Sequence, residues 1–217
     1  GRDLLSACAF LGGLGVTALV YRLGRRNGQT NVATMLLAGI ALTALAGSAV
    51  GLFTYLADDA TLRTLTFWNL GSLNGASYAR LWPLLIISAG VALWLPRRAK
   101  ALNALLLGES EAGHLGIDVE RLKRELVFCT ALGVGAAVAA AGMIGFVGLV
   151  VPHLVRLLAG PDHRVLLPAS VLAGASLLLL ADLVARLALA PAELPIGIVT
   201  AFIGAPFFLY LLLRGRA

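Results

Sequence analysis

The chain has 217 residues, of which 59% are hydrophobic and only 13% are charged, and its mean hydropathy is +0.92. Soluble domains carry about 25% charged residues, so these totals exclude a soluble globular protein. Continuous apolar runs indicate an all-α, polytopic membrane helical bundle rather than a membrane barrel, whose strands alternate. The net charge of +6 comes from basic residues at segment ends, which argues against nucleic acid as a partner.

Apolar segments that can enter the lipid bilayer recur along the chain, because a hydrocarbon core of about 30 Å needs roughly 20 helical residues. In chain order, the predicted spans are residues 4–23, 32–57, 81–95 with an extension back to 76, two short crossings within 126–160, 165–190 and 194–213. The two short crossings are expected to meet in a turn near residues 142–145. The sequence therefore predicts seven crossings.

The distribution of Lys and Arg sets the predicted orientation. The connections at 22–26, 97–124 and 156–164, together with 214–216, hold 13 of the 17 basic residues. The positive-inside rule places these connections in the cytoplasm. Both ends of 126–160 are then cytoplasmic, so this run must cross the membrane an even number of times.

The outer connection, residues 58–80, contains a predicted short helix. Asp58 or its neighbour can cap the helix start, and Gly71 is expected to end it. Leu65 and Trp68 fall on one apolar face. An interfacial or re-entrant helix is the simpler interpretation, and a gate above a transport pathway is the more specific one.

Residues 97–125 form a polar island that holds 11 of the chain's 28 charged residues. Its glycines predict two short helices, and its mixed acids and bases suit a docking surface. A solvated loop is the alternative interpretation. Against that alternative, the leucines of 101–107 need an apolar cover that an idle loop would not provide.

Asp182 and Arg186 are an ionisable pair inside the predicted span 165–190. At about 1.5 Å per helical residue, Arg186 lies roughly 30 Å along its helix from Leu166, at the outer boundary of the membrane. The pair is spaced for an i,i+4 ion pair. It could equally present a positive group to an acidic partner outside the membrane.

Motifs for covalent chemistry are missing from the sequence. The three histidines have no metal-ligand spacing with Cys or a carboxylate, and no Walker-type phosphate loop is present. We therefore predict no catalytic residue, metal or cofactor on this chain, so that ATP, if used, binds to a partner. The spans also offer no carboxylate away from the membrane boundary, which an ion-coupled carrier would need. Such a carrier, or a membrane scaffold, remains the rival class.

Three stretches carry a resemblance to a known family: residues 107–116, 142–186 and 193–214. They resemble the FecCD-type permeases of bacterial ABC importers for iron siderophores, haem and cobalamin, and the likeness covers essentially the whole chain. It implies a single permease domain over 1–217 that holds the fourth to tenth of ten spans, the first three lying outside this chain. It also implies a homodimer in the bacterial inner membrane, two cytoplasmic ATPase subunits that bind ATP and Mg, and a periplasmic substrate-binding protein.

The resemblance also implies residue roles. Residues 97–125 would be the cytoplasmic coupling loop, and Arg186 would dock the binding protein. A periplasmic gate or dimer region would include Leu65, Trp68, Gly71 and Ser72. The residues expected to contact the ATPase are Leu107, Gly108, Glu109, Ser110, Glu111, Ala112, Gly113, His114, Leu115 and Gly116.

The outer segment 62–73 bears on the cargo. It resembles haem-type and siderophore-type members more than cobalamin-type ones. Haem is therefore the predicted cargo, with ferric siderophore and cobalamin as alternatives.

Overall fold

Ten α-helices account for most of the residues that the computed structural model describes, which are 2–26, 29–74, 76–188 and 194–214. A hairpin of two strands with two residues each and a 3-10 helix, Leu95–Arg98, complete the described elements. The strands are β1 (Arg25–Arg26) and β2 (Gln29–Thr30). The helices are α1 (Arg2–Gly24), α2 (Val32–Leu56), α3 (Asp59–Leu70), α4 (Tyr78–Trp94), α5 (Ala99–Leu105), α6 (Glu109–His114), α7 (Val119–Ala141), α8 (Val147–Ala159), α9 (His163–Leu187) and α10 (Ile196–Arg214).

Membrane-spanning length is reached by four helices in the described part of the chain. These are α1 from Ser6, α2, α7 and α9, and each is apolar as well as long. The helices α8 and α10 are apolar but shorter, and α4 has 17 residues. Exposed leucine, isoleucine and phenylalanine side chains along these helices suit a lipid surrounding. The prediction of an all-α, multi-pass membrane bundle is confirmed.

The prediction of two short crossings within 126–160 is wrong for the first of them. α7 begins at Val119 and has 23 residues, whereas α8 has only 13. The charged residues before 126 belong to the first two turns of α7, because Asp118 caps the helix by accepting a hydrogen bond from the Arg121 amide at 2.9 Å. An apolar-run count starts too late for a helix whose first turns stand in water. The predicted turn is confirmed, since α7 ends at Ala141 before α8 begins.

The helices pack in two groups. In one group, α1 and α4 lie against α7, and α2 lies against α1. Glycines allow the close approach of α1 to α7, where the Phe10 ring covers Gly135. In the other group, α9 contacts both α8 and α10. The buried side chains of this second group form two clusters. Between α8 and α9 the cluster consists of Val151, Val155 and Leu166. Between α9 and α10 it consists of Ala181, Ala185, Ile196 and Val199.

α9 also defines the two ends of the bundle. Asn103 of α5 contacts Asp162 immediately before α9 begins, and Leu73, just after α3, packs on the cluster near its end. With 25 residues, α9 separates these points by about 37 Å. Following the predicted orientation, we call the side of α5 and α6 the inner end and the side of α3 the outer end.

Candidate functional site

The inner end is capped by the two short helices α5 and α6, as the polar island predicted. Gly108, with φ of 111°, separates them, and Gly116, with φ of 81°, follows α6. Glycine suits both positions because L side chains rarely adopt such angles. Ala112 anchors α6, since it is fully buried and its carbonyl accepts a hydrogen bond from the Ile117 amide at 3.1 Å.

The other predicted ATPase-contact residues are exposed. All of residues 107–116 except Ala112 reach the surface. Three leucines beside α6 are the informative ones: Leu106 is 50% exposed, Leu107 66% and Leu115 64%. They lie outside the membrane-spanning helices. The inner end therefore presents an apolar surface flanked by the acidic residues Glu109 and Glu111.

Lys123 ties α6 to the rest of the inner end. Its ammonium nitrogen lies 2.6 Å from a carboxylate oxygen of Glu109 on α6 and 3.3 Å from one of Glu120 on its own helix. It also donates to the backbone carbonyl of Thr30 at 3.1 Å. An ammonium group has three donors, so these acceptors from three segments satisfy it. The Lys123 side chain is only 12% exposed.

Glu120 holds the other side of Thr30. Its carboxylate accepts hydrogen bonds from the Thr30 amide at 3.0 Å and from the Thr30 hydroxyl at 2.6 Å. Thr30 is 6% exposed, and it pairs with Arg25 across the β1–β2 hairpin. The hairpin connects α1 to α2, so two side chains of α7 fix the inner ends of both helices.

A second polar contact joins α5 to the start of α9. The Asn103 amide nitrogen donates to the Asp162 carboxylate at 2.6 Å, and the Asn103 oxygen accepts from the His163 backbone amide at 2.9 Å. Asp162 also caps α9 by accepting from the Arg164 amide at 2.9 Å. These hydrogen bonds, the Arg164 amide first, hold the pKa of the exposed Asp162 carboxyl below its usual value.

The outer end is joined by backbone rather than by charged side chains. The Ser72 amide donates to the Ala141 carbonyl at 2.8 Å, which links the end of α3 to the end of α7. Gly142, with φ of 73°, sits so close to α3 that an added Cβ would lie 2.5 Å from the Trp68 carbonyl oxygen. At Gly197, an added Cβ would collide with the Leu70 carbonyl oxygen. The α7–α8 turn and the first turn of α10 therefore pack closely against the end of α3.

The predicted gate residues lie on α3 and at its end. Asp58 caps α3 by accepting from the Thr61 amide at 3.3 Å, and Gly71 ends it, so both predicted helix boundaries are confirmed. Leu65 and Trp68 are half-buried on one side of the helix, and Gly71 is buried. Ser72 carries the backbone link to α7. The structure thus brings Trp68, Gly71 and Ser72 together at the outer junction.

Arg186 lies at the outer end of α9. Its guanidinium Nε is 2.8 Å from the Asp182 carboxylate, which is the predicted i,i+4 pair. The Arg186 side chain is nevertheless 46% exposed, against 23% for Asp182. The Arg186 side chain therefore remains partly accessible from outside while the pair is formed.

Sequence reasoning missed Thr30, Asn103, Glu120 and Lys123 as residues that hold these junctions together. It placed Gly142 in a turn, but it did not predict that Gly142 and Gly197 contact α3. The i,i+3 spacing of Glu120 and Lys123 was visible in the sequence, but their partner Thr30 lies 90 residues away from Glu120. Among the described residues, no three His, Cys, Asp or Glu side chains come together as potential metal ligands.

This arrangement defines a class. The chain is a multi-pass helical membrane protein with two short, exposed helices at one end and a glycine-packed junction at the other. It belongs to the FecCD transport family, whose model matches residues 4–214.

Curated relatives agree with this assignment. The hemin transport system permease protein HmuU of Yersinia pestis is 47% identical over 214 residues, which is 96% of this chain and 62% of that protein. The vitamin B12 import system permease protein BtuC of Escherichia coli O9:H4 is 45% identical over 212 residues, 98% of this chain and 64% of that protein. The chain thus spans slightly less than two thirds of the length of these relatives.

A solved structure shares the fold. It is an inward-facing conformation of a protein assigned to the metal-chelate type of ABC transporter, with a TM-score of 0.85 and 33% sequence identity. The match covers 99% of this chain and 73% of that chain.

Proposed function

We propose that this chain is part of the transmembrane permease of a bacterial ABC importer, in which it carries a metal chelate across the inner membrane into the cytoplasm. One observation carries the proposal: α6 is anchored at the inner end yet leaves Leu107, Leu115 and its acidic residues exposed. A helix held by a buried residue and uncovered on its other sides is suited to receive a partner. The family membership makes an ATPase the expected partner.

The ATPase partner supplies the energy. Two ATPase subunits, each binding ATP and Mg, would contact residues 107–116 of the two permease copies. Closure of these subunits would displace α6 and switch the cavity between outward and inward access, a rigid-body transition around an interface. The chain itself would perform no covalent chemistry.

Arg186 would serve the opposite end. Its side chain is 46% exposed and would pair with a carboxylate of a periplasmic binding protein that delivers the cargo. The α3 junction beneath it, with Leu65, Trp68, Gly71 and Ser72, would form the outer gate or contact the second permease copy. Both roles place the cargo entrance at the outer end.

Haem is the proposed cargo. The 47% identical relative is named a hemin permease, and segment 62–73 resembles haem-type and siderophore-type members. Vitamin B12 import, named for relatives at 45% identity, and ferric siderophore import are the alternatives. Vesicles that contain the full-length permease, its ATPase and its binding protein should take up labelled haem in preference to labelled cobalamin or siderophore. Preferential uptake of either competitor would reassign the cargo without changing the mechanism.

The rival class, an ion-coupled carrier, is tested by the energy source. An importer should take up cargo when ATP is enclosed with its ATPase and should be indifferent to ionophores that collapse proton and sodium gradients. Uptake that needs a gradient and proceeds without ATP would favour the carrier.

A further inference from the structure

The helix α6 contacts the rest of the inner end through a cluster of charged and polar side chains. The family resemblance did not assign a role to this cluster. The cluster consists of Thr30, Glu109, Glu120 and Lys123, and we call it the inner tie. Its four members come from three segments: the hairpin between α1 and α2, the helix α6, and the first two turns of α7. Such a cluster is more than a local i,i+3 pair, because it spans residues 30 to 123.

Hydrogen bonds within the inner tie use all three donors of the Lys123 ammonium. The Lys123 ammonium has one acceptor from each segment: the Thr30 carbonyl, Glu109 and Glu120. The Glu120 carboxylate accepts hydrogen bonds from both the amide and the hydroxyl of Thr30. Partly buried charged hydrogen bonds of this kind are stronger than neutral ones. The cluster also has one cation for two carboxylates, so loss of the cation leaves two like charges around one position.

The hairpin passes this restraint on to two membrane helices. Thr30 pairs with Arg25, and the Asn31 amide donates to the Gly24 carbonyl at 2.9 Å. Gly24 is buried beneath the Met35 side chain. The end of α1 and the start of α2 are therefore fixed to Thr30 with little freedom between them.

We infer that Lys123 is a positioning residue that ties α6 to the α1–α2 hairpin, so that a displacement of α6 moves α1 and α2 together with α7. This inference rests on the proposed function, because it names how movement of the docking helix reaches a particular helix group. The group is the one in which α1 and α4 pack on α7. The second group is reached separately, through the Asn103 contact at the start of α9.

The first test measures coupling. Full-length permease is reconstituted with its ATPase subunits and its binding protein as wild type, Lys123→Met and Arg121→Met, and haem uptake is divided by ATP hydrolysed. Arg121 is the matched control, because among the described residues this cation on the same turn pairs only with Glu125, at 3.1 Å, and its side chain is 66% exposed. We expect Lys123→Met to lower the ratio about tenfold, within the usual range of coupling between sites, and Arg121→Met to leave it within about twofold. Equal ratios for the two variants would overturn the inference.

Failure of the proposed function has a different signature. If the wild-type complex hydrolyses ATP but transports no haem, siderophore or cobalamin, the proposed function fails whatever the variants do. If the wild type transports and Lys123→Met matches the control, only the role of Lys123 fails.

The second test needs no transport. Spin labels are attached at positions 25 and 110 of the full-length permease after Cys8→Ser, Cys129→Ser and the same replacement of any cysteine outside this chain. Both labelled positions are exposed. The inter-label distance distribution should be narrow with Lys123 present and should broaden in Lys123→Met. An unchanged distribution contradicts the tie.

A milder variant keeps this test decisive if Lys123→Met fails to insert. Glu109→Gln removes only the α6 arm of the tie, and the Glu109 side chain is 57% exposed. It should broaden the same distribution, whereas Glu111→Gln, an exposed change on the same helix, should not. Equal distributions for Glu109→Gln and Glu111→Gln would reject the tie.

Discussion

The inner and outer ends of this bundle are joined by opposite kinds of contact. At the inner end, charged and amide side chains bridge helices, as in the Lys123 and Asn103 contacts. At the outer end, backbone meets backbone where Gly142 and Gly197 press against α3. Side-chain bridges can be remade after a shift, whereas a glycine contact tolerates no added atom. The inner contacts therefore depend on particular side chains, and the outer contacts depend on the absence of a side chain at two glycines.

The largest loss of stability is expected from a substitution at the outer end. Gly197→Ala should place a methyl group into the Leu70 carbonyl and lower the stability of the permease by about 1–3 kcal/mol, as overpacking does. The matched control is Gly90→Ala on α4, where an added Cβ meets nothing within 4 Å. That helical glycine should become neutral or slightly stabilising as alanine. Thermal unfolding midpoints in detergent compare the two, and equal midpoints would show that the outer junction is not tightly packed.

The inner end should lose less from a comparable change. Asn103→Ala removes the hydrogen bonds to Asp162 and His163, which should cost about 1–2 kcal/mol. Lys100→Ala, an exposed change one turn earlier on α5, is the control. The same thermal measurement should show a clear loss for Asn103→Ala only. A loss as large as that of Gly197→Ala would remove the contrast between the two ends.

Docking at the outer end is tested without breaking the fold. Arg186→Glu should weaken binding of the periplasmic protein by about tenfold or more at low salt, with a smaller difference at high salt, because the contact is electrostatic. Arg164→Glu reverses the same charge at the inner end of α9 and should leave the affinity unchanged. Surface plasmon resonance on nanodisc-held permease measures both. Affinity that ignores Arg186→Glu would leave only the structural pair with Asp182.

The smallest expected effect concerns acid. Because the pKa of Asp162 is lowered by hydrogen bonds in the folded state, its ionised form contributes stability above the ordinary value of 3.8, and this is lost as the pH falls through the folded pKa. Asp162→Asn keeps a capping side chain without the charge. Its unfolding midpoint should therefore change less than the wild-type midpoint between pH 5 and pH 3. Equal changes would show that Asp162 does not contribute to the acid response.

Local signals in the sequence predicted the short helices well. Asp58 and Gly71 bound α3 because a capping carboxylate and a glycine act on their own neighbours. Gly108 and Gly116 likewise frame α6. The start of α7 was placed too late, because its first turns are charged and an apolar count cannot see them. Cap residues such as Asp118 carry that information instead.

Contacts between distant segments were out of reach of the sequence. Thr30 gives no sign that Glu120 will hold it, and Gly197 looks like any helical glycine until Leu70 lies against it. These contacts depend on how whole helices pack, which local pattern does not determine. The roles of Arg186 and of residues 107–116 came from the family resemblance, and they stay predictions.

The central claim is that the inner end receives force from an ATPase. The direct test is ATP-driven haem uptake by proteoliposomes that hold the full-length permease, its ATPase and its binding protein, with Glu109→Lys/Glu111→Lys as the test variant. Glu111→Lys alone separates docking from the inner tie, because Glu111 is exposed and is not a partner of Lys123. Asp59→Lys, an exposed reversal at the outer end, is the control. We predict that uptake is lost in the double variant, is strongly reduced in Glu111→Lys and persists in the control. In the double variant, ATP hydrolysis should no longer drive transport. Unchanged uptake per ATP in the double variant would contradict the account.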